Sequence, residues 1–463
     1  MERPASDEGH LLIGGVDAVE LAATYGTPLM VYDVEDIRAR ARAFCAAFAA
    51  HGVRHRVAYA SKALSIRAVY EVALEEGLDV DVVSGGELFT ALRAGVPAER
   101  IHFHGNNKSD AELRYALSSR VGCFVVDNMR EVELLPRLAL EVWAAEDQSS
   151  AVASARRVRV LLRVAPGITA HTHAHNTTGQ VDSKFGLDIA SGDATRAFQR
   201  LSALPHVHVL GLHCHIGSQI FQPASHAAAA RRLMALMDEW DMQECVLNVG
   251  GGFGVRYTPA DAPLPLQDFV DVIVGAATAY VAERHNSSSG SSTGDGAAGT
   301  ASTPPPRSSR LRVPEFWIEP GRSLVCEAGT TLYTAGAQKH VPQVRTYLAV
   351  DGGMSDNIRP VTYQSVYTAV MANRMHAPAD HTYTIVGKLC ETGDQLIQNA
   401  ALPEAHEGDI VAVLCTGAYC YAMASNYNKL CRPAVVFAER GVAKLVVRRE
   451  TPEDLVRHEL AYT

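Results

Sequence analysis

The string AYASKAL (58–64) places Lys62 directly after a β-rich run. A lysine at such a strand end can form a Schiff base with a carbonyl compound if its amine is partly desolvated and neutral, although a lone lysine is usually a solvated surface charge. Its companions therefore matter. LNVGGGFG (247–254) sets three glycines after another strand, where backbone N–H groups can close on a phosphate without side-chain interference. A tight structural turn is the alternative, and the lack of a GxGxxG pattern disfavours a dinucleotide fold. In IEPGR (318–322), Glu319 can hydrogen-bond a pyridine nitrogen and make the ring a better electron sink. Arg322 can grip a carboxylate or phosphate bidentately. A surface salt bridge is the plainer reading of that pair.

Two further strings carry histidine and cysteine. In LHCHIGSQ (212–219), strand alternation sends His213 and His215 to one side, so that one of them can stack on a flat aromatic cofactor while Ser218 bonds a phosphate. Metal ligation by this pair, or by His171, His173 and His175, ranks lower because no HExxH motif or carboxylate triad accompanies them. The expectation is no metal. In GKLCETGD (387–394), Cys390 is a competent proton donor near neutral pH and Glu391 can read a cationic amine. Burial as a small apolar residue is the commoner fate of a cysteine.

These residues need a scaffold that gathers strand ends. Eight strands are predicted at His55–Tyr59, Leu78–Val83, Arg100–Phe103, Gly122–Val126, Val158–Val164, Val209–Cys214, Cys245–Val249 and Glu315–Ile318. Helical stretches such as Ser65–Glu76, Gly86–Ala94, Asp110–Ser118, Arg130–Glu141 and Leu266–Glu283 fill the gaps. The alternation is that of an α/β (β/α)8 TIM barrel, whose strand C-termini open on one catalytic mouth. After about residue 330 come RTYLAVDGG, HTYTIVGKLC, DIVAVLC, PAVVFAE and KLVVRRE, strands without long helices, which predict a second, all-β module of barrel or sandwich type. Glu439-Arg440-Gly441 reads as a hairpin loop. The expected division is a barrel over 35–329, interrupted by a low-complexity Ser/Gly/Pro insertion at 285–310, and a β domain over 330–463 completed by residues 1–34. The insertion is too polar to fold and reads as a solvated spacer, with a phosphorylated regulatory loop as the alternative.

With 463 residues, 47% hydrophobic and 20% charged, the chain has the composition of an ordinary globular protein and room for two domains. A formal net charge of −9 and 7% aromatic residues leave no footprint of a nucleic-acid binder. The nine cysteines include no CxxC pair, which indicates a reducing compartment. No signal-peptide pattern or apolar run of about 18 residues stands out, so a soluble cytoplasmic location is expected.

Taken together these strings resemble the diaminopimelate decarboxylases, within the alanine-racemase-like, fold-type III group of pyridoxal-phosphate enzymes. The resemblance runs from GTPLMVYD (26–33) to NYNKLCRPAVVF (426–437). It takes in VVSGGEL, FHGNNKS, TGQVDSKFGL, HCHIGSQI, GGGFGVRY, EPGRSLV, VDGGMSDNIRP, CETGD and CTGAY. It implies that Lys62 bonds the pyridoxal 5'-phosphate, that His215 stacks on the ring, and that Ser218, Gly251, Gly252, Glu319, Pro320, Gly321, Arg322 and Tyr419 contact the cofactor. Arg322, Arg359, Tyr363, Glu391 and Tyr419 would hold the substrate, and Cys390 would return the proton. It further implies a homodimer in which Cys390 and Glu391 reach the partner's site. The implied reaction turns meso-2,6-diaminopimelate into L-lysine and carbon dioxide, the last step of lysine biosynthesis. Two departures are minor: KAL stands where many relatives read KAN, and CETGD replaces CESGD. Rival readings are a decarboxylase of arginine, ornithine or carboxynorspermidine, an amino-acid racemase, or a non-catalytic regulator, which would be expected to have lost Lys62 or Cys390.

Overall fold

A computed structural model describes residues 4–146, 156–168, 183–289 and 310–463. Eight parallel strands, His55–Ala60, Asp79–Val82, Ile101–Phe103, Cys123–Val126, Val158–Ala165, Val207–His213, Val246–Asn248 and Glu315–Ile318, pair in chain order. The eighth pairs back onto the first through Ile318 and Val57, which closes a barrel. Every residue of the second, third and fourth strands is buried. A parallel sheet with helices outside and a packed interior leaves neither face in water, so these strands are rich in apolar residues and the acids and histidine among them, Asp79, Asp81 and His102, are buried too.

Some of the intervening helices start where a short polar side chain accepts a backbone N–H. Ser84 caps Gly85–Arg93, and Ser109 with Glu112 forms a full capping box before Asp110–Ser118. Two helices overrun their expected ends. Met129–Glu146 continues past Glu141 with Pro136 inside it. Leu266–Ser289 takes in residues 285–289, which composition had assigned to the spacer. Once Phe269, Val270, Ile273, Val274 and Ala277 are buried, extending a formed helix costs far less than starting one, so weak formers are carried along. Residues 290–309 of the insertion, and His171, His173 and His175, lie outside the described residues.

The second sheet is assembled from both ends of the chain. Leu29–Asp33 lies between Gly329–Val341, its antiparallel neighbour, and Ala434–Glu439, its parallel one. Gly329–Val341 continues to Arg345–Val350 and also pairs with Ile410–Leu414. His381–Val386 and Gln395–Leu402 extend one edge, and Val442–Val447 forms the other. Arg440 and Gly441, both at positive φ, make the two-residue turn of the last hairpin. Among the described residues no helix is long and apolar enough to cross a membrane.

Candidate active site at the barrel mouth

The first barrel strand ends in a single 3-10 turn, Ser61–Ala63, with Ser61 and Ala63 buried and Lys62 exposed between them. The turn is fixed on both sides. Ala60 N–H donates to Pro320 O at 3.1 Å, and Tyr419 N–H donates to Ala63 O at 2.7 Å. Tyr419 holds φ +68°, a left-handed conformation that side chains rarely adopt. Lys62 is thereby bound to the end of the eighth strand and to the β module together.

The triple glycine packs between two other strand ends. A Cβ on Gly251 would lie 2.2 Å from Glu319 O, and one on Gly252, where φ is +91°, would lie 2.3 Å from Gly217 O. Any side chain at these two positions would collide with backbone, so the tight turn also leaves the loop's surface bare toward the cavity. Arg322 donates to Ser218 Oγ at 3.0 Å and to Tyr257 Oη at 2.5 Å. Two guanidiniums pack against the Tyr419 ring, Arg322 4.8 Å and Arg359 5.2 Å from its centroid. Arg359 also donates to Tyr367 and Ser365 and covers the half-exposed Tyr363.

Glu319 is the buried anion of the site. Asn248 donates to its Oε1 at 2.7 Å, His213 Nε2 lies 3.0 Å from Oε2, and His104 Nε2 lies 3.1 Å from Oε1. Burial alone would raise this carboxyl, but the two imidazoles outweigh it and hold the group well below the usual range. Asp81, on the second strand, is displaced the other way. Burial and then the Glu319 charge push it well above the usual range, and its Oδ1 has no hydrogen-bond partner. Burial likewise drives His215 well below its ordinary value, helped by the charges of Lys62 and Arg163. Gly251 N–H donates to His215 Nδ1 at 3.3 Å, so the ring presents a neutral, flat face.

One cavity is lined by Lys62, Asp81, His215, Ser218, Gly252, Glu319, Gly321, Arg322 and Tyr419, with Ala60, Phe253 and Ser323. Gly251 and Pro320 back this wall through their contacts with Glu319 and Ala60. Arg359 and Tyr363 do not line the cavity but join it through Tyr419, whose ring Arg359 contacts. Cys390 and Glu391 do not line the cavity. Both are exposed on a loop after His381–Val386, where Cys390 N–H donates to Asn428 Oδ1 at 2.8 Å. His104, Asn248 and Tyr257 fall within FHGNNKS, LNVGGGFG and GGGFGVRY without a role of their own, and Asp81 and Arg163 fall outside every motif. Asp81 left a trace as an acid inside the apolar run LDVDVV.

His104, His213 and Glu319 bring their ligand atoms within 4.8 Å, a grouping that also suits a metal. Here the carboxylate already receives hydrogen bonds, and the cavity beside it offers an amine for an aldehyde, a serine, arginine and glycine loop for a phosphate, and a flat imidazole for a ring. Such a mouth on a closed parallel barrel defines a pyridoxal-phosphate-binding barrel enzyme. Comparison with known proteins agrees. Residues 34–289 match the family model "Pyridoxal-dependent decarboxylase, pyridoxal binding domain". The chain is 52% identical over 461 residues to the diaminopimelate decarboxylase of Bacillus subtilis, covering 99% of this chain and 97% of that one. It is 49% identical to that of Halalkalibacterium halodurans, covering 97% and 95%. The crystal structure of diaminopimelate decarboxylase from M. jannaschii in complex with L-lysine superposes with a TM-score of 0.84 at 29% identity, covering 99% of this chain and 97% of that one. The chain belongs to the diaminopimelate decarboxylase family.

Proposed function

We propose that the chain is an enzyme that decarboxylates meso-2,6-diaminopimelate to L-lysine and carbon dioxide, using pyridoxal 5'-phosphate. The observation that carries this reading is the meeting of Lys62, Ser218, Gly252, Glu319 and Arg322 on one cavity. When bound, the cofactor supplies an electron sink for the pair left behind by carbon dioxide.

The protein's own groups divide the remaining work. The Lys62 amine is the covalent anchor. Ser218, Gly252, Arg322 and Tyr419 would hold the phosphate, Glu319 would accept a hydrogen bond from the ring nitrogen, and His215 would pack on the ring. The far end of the substrate carries a carboxylate and an ammonium, which Arg322, Arg359 and Glu391 match in sign. Tyr363 and Tyr419 wall this region. Ornithine has only an amine there, so two arginines argue against it.

Cys390 protonates the substrate α-carbon in the active site of a second copy. Supporting this homodimer, Cys390 is exposed away from its own chain's cavity. Exposed Val361, in the short helix Arg359–Tyr363, and Tyr427, opening the turn Tyr427–Lys429, adjoin the Cys390 loop, Val361 3.9 Å from a Cβ built on Gly393 and Tyr427 beside Asn428. Residues 35–329 would form the catalytic barrel and 1–34 with 330–463 the β domain, in a cytoplasmic enzyme of lysine biosynthesis.

Product analysis tests the activity: purified protein with pyridoxal phosphate should release carbon dioxide and L-lysine from meso-diaminopimelate. Turnover of ornithine with no action on meso-diaminopimelate would overturn the substrate, and inverted diaminopimelate without carbon dioxide would mark a racemase. Mixing inactive Lys62→Ala and Cys390→Ala chains should restore part of the activity. Failure of rescue despite subunit exchange would remove the shared site.

A further inference from the structure

Glu319 has a more elaborate setting than a ring-nitrogen partner requires. Three other barrel strands bring side chains to it: His213, ending the sixth, and Asn248, ending the seventh, hydrogen-bond the carboxylate, and His104, following the third, sets its Nε2 3.1 Å away. Asn248 is fully buried and works in two directions. Its Nδ2 donates to Glu319 Oε1 at 2.7 Å, while its Oδ1 accepts from Gly250 N–H at 2.9 Å. Glu319 N–H returns the link by donating to Gly250 O at 2.9 Å.

We propose that Asn248, with His104 and His213, is a positioning residue that presents Glu319 as an ionised acceptor to the ring nitrogen and ties the setting of that carboxylate to the glycine loop receiving the phosphate. The inference rests on the reading of Glu319 and Gly252 given above. An ionised carboxylate removed from water needs donors to remain charged. An amide is one of the few side chains that donates at one end and accepts at the other. Aspartate at this place could still accept from Gly250 but would set a second negative charge against Glu319, and leucine could do neither. The other ionisable groups facing Glu319 are Asp81, which opposes its charge, Lys62 and Arg163, which favour it, and the imidazole of His215 with the buried thiols of Cys123 and Cys214. Asn248 is the side chain that hydrogen-bonds the carboxylate at one end and the loop at the other.

The test compares the cofactor dissociation constants of wild type, Asn248→Leu, Asn248→Asp and Glu319→Gln, measured by equilibrium dialysis of the apoproteins against pyridoxal phosphate from about pH 5 to 8. Losing the Asn248 donor lets Glu319 take up a proton at higher pH. The variant-to-wild-type ratio should therefore grow roughly tenfold toward the acid end for Asn248→Leu, and more for Asn248→Asp. In the Glu319→Gln background the Asn248 substitutions should add no pH dependence. A role limited to supporting the fold would weaken binding by the same factor at every pH. If one variant fails to fold by circular dichroism, His213→Leu removes the donor to the other oxygen and is read in the same way. Flat ratios, with Glu319→Gln still weakening the cofactor, would overturn the clamp and leave the reading of Glu319 standing. Unaltered affinity and absorption spectrum in Glu319→Gln would instead overturn that reading.

Discussion

Lys108→Met should cost this protein more than any surface substitution, for reasons that can be counted. Lys108 is 3% exposed, and its ammonium donates to Gly105 O at 2.8 Å, Val125 O at 2.7 Å and Glu131 Oε2 at 2.8 Å. Those partners belong to the loop after the third barrel strand, to the fourth strand, and to the helix Met129–Glu146. Methionine fills the stem but strands the Glu131 carboxylate, itself 1% exposed, with only the N–H of Asp127 and the Asn128 amide as donors. Breaking a buried, hydrogen-bonded ion pair from one side costs about 3–5 kcal/mol. For a domain of this size that lowers the melting midpoint by roughly 6–20 °C. Replacing both partners, as in Lys108→Met with Glu131→Leu, removes the unpaired charge and should recover most of the loss. Differential scanning calorimetry of the apoproteins reads both effects. A single variant melting within about 2 °C of wild type, or a double variant melting below it, would refute the argument that the charge left behind dominates.

Two other perturbations follow from the site. Gly252→Ala puts a Cβ 2.3 Å from Gly217 O at φ +91°, and backbone cannot yield there cheaply. Cofactor affinity in dialysis should fall by tenfold or more while Gly77→Ala, with open space around it, leaves affinity unchanged. His226 is fully buried against Phe253, its Nε2 3.0 Å from Gly251 O, and burial lowers its pKa to about 4. A depressed histidine pKa means that the unfolded chain takes up the proton first. Stability is therefore intact above about pH 6.5 and declines as pH falls toward about 4, by at most about 3 kcal/mol. His226→Phe should flatten that part of the acid limb in melts recorded against pH, and an unchanged limb would assign the acid loss elsewhere.

The barrel was legible for a physical reason. Parallel strands buried on both faces leave apolar runs with polar residues at their ends, and the eight expected strands match the observed ones to within about two residues. Residues that would meet ligand were also marked, since Lys62, Gly252, Glu319 and Arg322 have unusual neighbours in the chain. What the neighbouring residues do was not. His104 and Asn248 approach Glu319 from strands about 70 to 215 positions away in sequence, and Tyr257, at the end of GGGFGVRY, reaches Arg322 65 residues on, so their strings gave them no partner. Such pairings are set by how neighbouring barrel strands stagger, a quantity that chain spacing does not encode. The same holds for Leu29–Asp33, whose sheet partners begin 300 residues later. Motifs therefore mark chemistry at strand ends, whereas the buried contacts that set a group's charge are settled only when the barrel closes. For Glu319 this has a direct consequence. Its ionisation depends on three side chains that no local pattern joins to it, so a change at Asn248 can alter the electronics of the site while every residue expected to meet ligand stays in place.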